Sequence, residues 1–499
     1  MNKKSRTTRA PSYAEAYSCV ILVFGIVIGA MILGIPVQAT MLFAAIIAAV
    51  FAYRLGYGWD ELEKAIASKL GQLAPTVCIL WLIGLYLGVN MYSGTLPLLV
   101  KYGFEIISPK FLYVSALLVC SVLSVMTGSS WTSVATGGIA CMTICRILGA
   151  NEAIMAAAII SGAIFGDKIS PMSETTNLAP ACVGNDLWSH VYAQLYTTIP
   201  PFLFAIVLYT VIGLRAEGIS VIPESATAVV AQLDKIYNLS PVLLLPVIVL
   251  LIMAVTQKPP IPSLVISSAL AIVCGVIFQG PAFTAKIGCL AAIKGFTVAS
   301  VVPEGTEVLH EVSYLLNRGG MISMANTVMI CYTGFSLTAI LIRCGILDKA
   351  VEPLMHFAKT RVKAVFTAEI AIFVVHAVAG ISYLSSVFVG AAWKKCYVKN
   401  KIGLPALSRT LEDVGTTVSC LFPWGQSGAF YMATLGVSIY GATGYYKYLT
   451  LSYLCPIVAL LLAVSNIGMF NLSDEEQAKL LAQIEAEEGN MKSIAEMDA

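Results

Sequence analysis

One apolar stretch after another, each about as long as a bilayer core is thick, limits what this chain can fold into. A membrane-spanning helix needs about 20 apolar residues. Stretches of that kind run from Tyr17 to Leu33, Ala39 to Tyr53, Val77 to Tyr92, Phe111 to Met126 and Val191 to Leu214. More follow at Leu243 to Val255, Ser263 to Phe278, Ile322 to Ile342, Val365 to Ala379 and Leu449 to Val464. Counting interrupted segments, the same length rule gives about 11 to 13 crossings. With 58% hydrophobic and only 12% charged residues, the 499-residue chain has too little polar surface to cover a water-soluble core. The expectation is an all-α polytopic membrane protein, a class whose members are carriers or channels more often than enzymes.

The net charge is +2, and no arginine-rich face or stacking-aromatic pattern accompanies it, which sets nucleic-acid binding aside. Lys3, Lys4, Arg6 and Arg9 precede the first apolar run. The positive-inside rule then puts the N-terminus, residues 1–16, in the cytoplasm of a multi-pass protein of the cell membrane. Most of the thirteen cysteines sit inside apolar runs as small hydrophobes. Cys141 and Cys145 share a helix face but lack the further ligands that a zinc site needs. Trp59, Leu62, Ile66 and Leu70 recur at helical spacing opposite Asp60, Glu61 and Lys64, as in a short interfacial helix. The acidic tail, 471–499, opens with Ser473 and Glu476 at capping-box spacing. The four histidines are far apart in sequence, and His376, inside an apolar run, is the one kept as a candidate.

The segment that runs from Gly166 to Pro180, GDKISPMSETTNLAP, needs a separate explanation. It lies between apolar runs, where ionisable groups persist mainly by pairing or by facing an aqueous path. Pro171 and Pro180 remove backbone donors and break helices, and the freed carbonyls need partners. Asp167 and Glu174 offer negative oxygens; Ser170, Ser173, Thr175, Thr176 and Asn177 offer neutral ones. Hard oxygens of this kind suit Na⁺, with Asp167, Glu174, Thr175 and Asn177 as its candidate ligands. An extramembrane loop of caps and turns would have a similar composition.

A second interruption lies downstream, with Arg409, Glu412, Asp413, Thr416 and Thr417 followed by Pro423, Trp424, Gly425, Gln426 and Ser427. Each interruption is preceded by a small-residue helix start: Gly128-Ser129-Ser130-Trp131 in the first case, Gly380 to Ser386 with Ser385 in the second. The chain therefore reads as a doubled unit: repeat 17–215, connector 216–238, repeat 239–470. Matching broken segments in two halves point to a transporter binding site at the repeat interface. The link with Lys394, Lys395, Lys399, Lys401 and Arg409 is basic, whereas its counterpart near Arg146 and Glu152 is almost uncharged. That asymmetry favours inverted repeats with discontinuous helices or re-entrant hairpins.

At these residues the sequence resembles the NhaC-type sodium/proton antiporters. The likeness rests on Gly128 to Trp131, on Gly166 to Pro180, and on Leu411 to Thr416 followed by Pro423 and Trp424, in the family's order and spacing. It extends over nearly the whole membrane domain. The resemblance implies an inverted-repeat ion-transporter fold that exchanges Na⁺ for H⁺, with no cofactor beyond the transported ions. The family also includes sodium-coupled exchangers of malate and lactate. Two departures stand out: Glu174 occupies a position where the family commonly has Asp, and Gly425 one where Asn commonly follows Pro-Trp. A glycine beside the site admits a larger ligand, so a Na⁺-coupled carrier of a small organic acid or amino acid is the alternative cargo reading. A channel would more often show a ring-forming filter motif in a smaller subunit. An enzyme would need a nucleophile and base or metal ligands, and no such arrangement is present. Lys168 and Arg409 read either as structural partners of the carboxylates or as counter-ions for an organic acid. Gly25/Gly29 and Gly162/Gly166 read as close helix packing, with homodimerisation as a second use.

Overall fold

A computed structural model describes residues 8–33, 35–106, 108–216, 224–256 and 258–497. Lys3, Lys4 and Arg6 of the basic N-terminus and 217–223 of the expected connector lie outside the described residues. Helices, with short 3₁₀ and π turns, make up the regular structure, and there is no strand among the described residues. Among the described residues, eight helices are long and apolar enough to cross a membrane, and up to ten if each of two bent pairs forms one span. The expected 11 to 13 crossings also counted shorter segments, such as the one that folds as the 15-residue helix Leu451–Ser465.

The stripe from Trp59 to Leu70 is not a separate interfacial helix. It continues without interruption through Pro75 to form Trp59–Ser93, 35 residues long. At the other end of the chain, Ser473 and Glu476 close the expected capping box: Ser473 N donates to Glu476 Oε2 at 2.9 Å, and Glu476 N donates to Ser473 Oγ at 3.3 Å.

Two runs of elements share one order. The first is Leu112–Thr127, a segment starting at Ser130, Glu152–Ile169, Glu174–Val183 and Leu187–Arg215. The second is Arg361–Ala379, Ser382–Lys399, Leu404–Gly415, Gln426–Leu435 and Leu451–Ser465. Each begins with a helix that ends on a left-handed glycine, Gly128 at φ 64° and Gly380 at φ 68°. A side chain there would be strained, and it would also meet the helix break of its own half. A Cβ on Gly128 would stand 2.5 Å from the Met172 carbonyl carbon, and one on Gly380 would stand 3.1 Å from Gly425 Cα. Each broken segment likewise ends on a left-handed glycine, Gly184 and Gly436.

The helices Leu112–Thr127 and Glu152–Ile169 are the scaffold for the first break. Gly162 and Gly166 let them touch: a Cβ on Gly162 would come within 2.2 Å of Leu117 O, and one on Gly166 within 2.5 Å of Ser124 Cβ. This is the small-residue packing expected of helices in lipid. Gly25 and Gly29 behave differently, since a Cβ on either would meet no atom within 4 Å, so they do not serve packing within this chain.

Candidate functional site

Helix Glu152–Ile169 starts on Asn151, whose Oδ1 accepts from Ala153 N and Ile154 N, and stops at Ser170, whose backbone is extended. Pro171 cannot continue it. The chain turns 47° and re-enters a helix at Glu174. Successive helical residues point about 100° apart, so neighbours in sequence face different surroundings. Asp167 faces a cavity of about 1460 Å³, and Lys168 turns away into the protein interior.

Three donors converge on the Asp167 carboxylate. Ser130 Oγ donates to Oδ2 at 2.6 Å and Ser130 N reaches the same oxygen at 3.4 Å. Ser173 Oγ donates to Oδ1 at 2.5 Å and also lies 3.1 Å from Thr175 Oγ1. All of these donors are neutral, and no lysine or arginine among the described residues pairs with Asp167, so its negative charge has no counter-charge in contact. Thr176 Oγ1 donates to the Asp167 carbonyl at 2.8 Å and Ser170 Oγ to Val125 O at 2.8 Å, which hold the break in place. Asn177 Nδ2 donates to Pro171 O and Ser173 O, so the amide is fixed with Oδ1 on its other side.

Nine of the sequence-derived candidates line this cavity: Asp167, Glu174, Thr175, Asn177, Ser129, Ser130, Thr416, Gln426 and Ser427. Ser170, Ser173 and Thr176 stand behind it as supports. Glu412, Asp413, Thr417 and Ser385 do not line it and are buried elsewhere. Thr417 Oγ1 donates to Asp413 O, and Ser385 Oγ to Ser382 O, so both serve local backbone.

Asp413 has a different environment from Asp167. Lys168 Nζ lies 2.6 Å from Asp413 Oδ1 and Arg409 Nε 3.6 Å from Oδ2, with all three side chains fully buried. Lys168 and Arg409 are thus partners of Asp413, away from the cavity. Glu412 joins a separate cluster: Gln194 Nε2 donates to its Oε2 at 3.0 Å, and His190 Nε2 lies 3.6 Å from the same atom. His190, set aside as isolated, is therefore beside an acid 222 positions downstream, a pairing that no local pattern encodes. His376, retained as a candidate, is buried and stacks on Phe422 at 5.4 Å. Gly425 does not enlarge the cavity; it is buried against Gly380, where a Cβ would meet Gly380 O at 3.2 Å. The sequence also gave no signal for Tyr431, whose hydroxyl donates to Ser130 Oγ at 2.9 Å.

The sequence matches the Na⁺/H⁺ antiporter family over residues 7–176 and 162–467. The chain belongs to that family. It is 35% identical to the Na⁺/H⁺ antiporter NhaC of Alkalihalophilus pseudofirmus, over 89% of this chain and 93% of that one. An uncharacterized Na⁺/H⁺ antiporter of Haemophilus influenzae is 33% identical, over 94% and 99%. A malate-2H⁺/Na⁺-lactate antiporter of Bacillus subtilis is 29% identical, over 91% and 95%. The family match covers both helix breaks of this antiporter-family chain, together with the glycine-capped helices before them.

Proposed function

We propose that this protein is a secondary transporter that exchanges Na⁺ for H⁺ across the cell membrane, with Asp167 as the carboxylate both ions use. Asp167 carries this reading as a charged oxygen pair without a counter-charge, reached from a cavity and ringed by hydroxyls. Charge without a partner at membrane depth is costly, and a cation or a proton relieves it. Glu174, Thr175 and the Asn177 amide oxygen supply the further hard oxygens that Na⁺ takes. Proton and Na⁺ then exclude each other from the same carboxylate, and that exclusion couples their opposite movements. Supporting an inverted arrangement of the halves with a cytoplasmic N-terminus are the charge asymmetry of the two links and the shared element order. Cysteines introduced near 150 and 400 in a cysteine-free background would then be labelled from opposite faces; labelling from one face would contradict the inversion.

The test is purified protein in liposomes given a Na⁺ gradient alone. Prompt proton movement supports the exchanger, and silence across a wide pH range contradicts it. The size of the cavity favours a second reading, because about 1460 Å³ with Lys258 and Arg343 on its wall exceeds what an ion needs and suits a small organic acid. Exchange that stays silent until such an acid is added would select that reading.

A further inference from the structure

We propose that Tyr431 is a positioning residue for ion exchange, reaching from the second half of the chain to fix the Ser130 hydroxyl that holds Asp167. This rests on the reading of Asp167 as the exchange carboxylate. Ser130 Oγ has one proton and two lone pairs. Its short contact with Asp167 Oδ2, 2.6 Å, takes the proton, because an ionised carboxylate can only accept. The Tyr431 phenol, 2.9 Å away, must then donate to a Ser130 lone pair, giving a one-way chain from Tyr431 through Ser130 to Asp167.

Two features hold Tyr431 in that role. It is 1% exposed although it stands on the wall of the cavity beside Ser130, so little of the side chain is open to solvent. Its neighbour Phe430 stacks on Trp131, the residue after Ser130, with ring centres 4.5 Å apart and planes 11° from parallel. That stack sets helix Gln426–Leu435 against the start of the 130–133 helix, so the hydroxyl and the phenol keep their register. Hydrogen bonds in a chain polarise one another, so the phenol strengthens the Ser130 bond to the carboxylate. The contact also joins the second broken segment, Gln426–Leu435, to the 130–133 helix, and any movement of helix Gln426–Leu435 relative to Asp167 changes how firmly Asp167 is held.

The effect should fall on Na⁺ affinity more than on turnover. Loss of one such hydrogen bond corresponds to about a three- to tenfold change in an equilibrium constant. Full-length protein in liposomes is compared as wild type, Tyr431→Phe, Ser130→Ala and the double variant, for the KM and maximal rate of Na⁺-driven proton movement. The same four proteins in detergent are titrated with NaCl against thermal unfolding, which reads Na⁺ binding without transport. The expected result is that Tyr431→Phe raises the Na⁺ constant in both assays about three- to tenfold and keeps the maximal rate within about twofold. In the Ser130→Ala background the same substitution should change the constant by less than about twofold, because its path is already cut. An unchanged Na⁺ constant in Tyr431→Phe, a fall in maximal rate alone, or an equal effect with and without Ser130 would each overturn the proposal. Wild-type protein without Na⁺-driven proton movement would instead contradict the function it rests on.

Discussion

The two helix breaks have the same construction and opposite electrostatics. In each, a helix ends on a left-handed glycine that packs against the break of its own half: Gly128 on Met172, Gly380 on Gly425. In each, an acid sits near the end of the helix that precedes the break. Asp167 reaches a cavity and meets only neutral donors, whereas Asp413 is sealed from solvent between Lys168 and Arg409. One acid is left with a charge to be met from outside, and the other has its charge met from within. Lys168 joins the two, because it follows Asp167 in sequence yet faces Asp413. The first half supplies the cation for the buried pair and in doing so keeps that lysine off its own cavity acid.

Substitutions of the two acids should therefore fail in different ways. Asp167→Asn is expected to abolish exchange in everted or reconstituted vesicles, a loss of about a hundredfold or more, while the protein stays inserted and folded. Residual exchange near the wild-type level would remove Asp167 from the mechanism. Asp413→Asn should strike the fold first, since it strands two buried cations. Breaking a buried pair from one side costs about 3–5 kcal/mol. Lys168→Met should cost less, because Arg409 still faces Asp413. Thermal unfolding in detergent checks the order, and a Lys168→Met protein less stable than Asp413→Asn would show that Arg409 does not hold the Asp413 charge.

Much of this architecture was legible in the sequence, but the division of labour was not. Helix breaks follow from Pro171 and from Pro423 with Gly425, and the shared order of elements around them from the matched glycine starts, because such signals are local. The oxygen-rich stretch at Asp167 was legible for the same reason. What the sequence could not supply was partnership across the bundle. Asp167 and Asp413 look alike along the chain; only the fold shows that Lys168 is 245 positions from its partner. His190 beside Glu412 and Tyr431 on Ser130 were hidden by the same distance. Gly425 shows the converse error, since a small residue near a site reads as space until the backbone pressed against it is seen.

Substitutions at Glu174 and Gly425 should have smaller effects. Glu174 is exposed on the cavity and, unlike Asp167, is not fixed by the Ser130 and Ser173 hydroxyls. Glu174→Gln should weaken Na⁺ dependence, raising the Na⁺ KM several-fold, about 1 kcal/mol, with exchange retained. A total loss comparable to that of Asp167→Asn would give the two acids equal standing and change the account of the site. Gly425→Asn should alter transport least, by less than about twofold, because the new side chain presses on Gly380 before it meets the cavity; its mark should be a stability change of about 1 kcal/mol or less. A large drop in transport of an organic acid by this variant, with Na⁺ binding intact, would favour the larger cargo.

If one carboxylate serves both ions, the pH dependence of the Na⁺ KM in proteoliposomes must show it. With Asp167 shared, mass action predicts that the Na⁺ KM climbs about tenfold per pH unit on the acid side while the maximal rate at saturating Na⁺ holds steady. A Na⁺ KM that stays constant across that range while the maximal rate falls would place the proton on a different group and contradict the account.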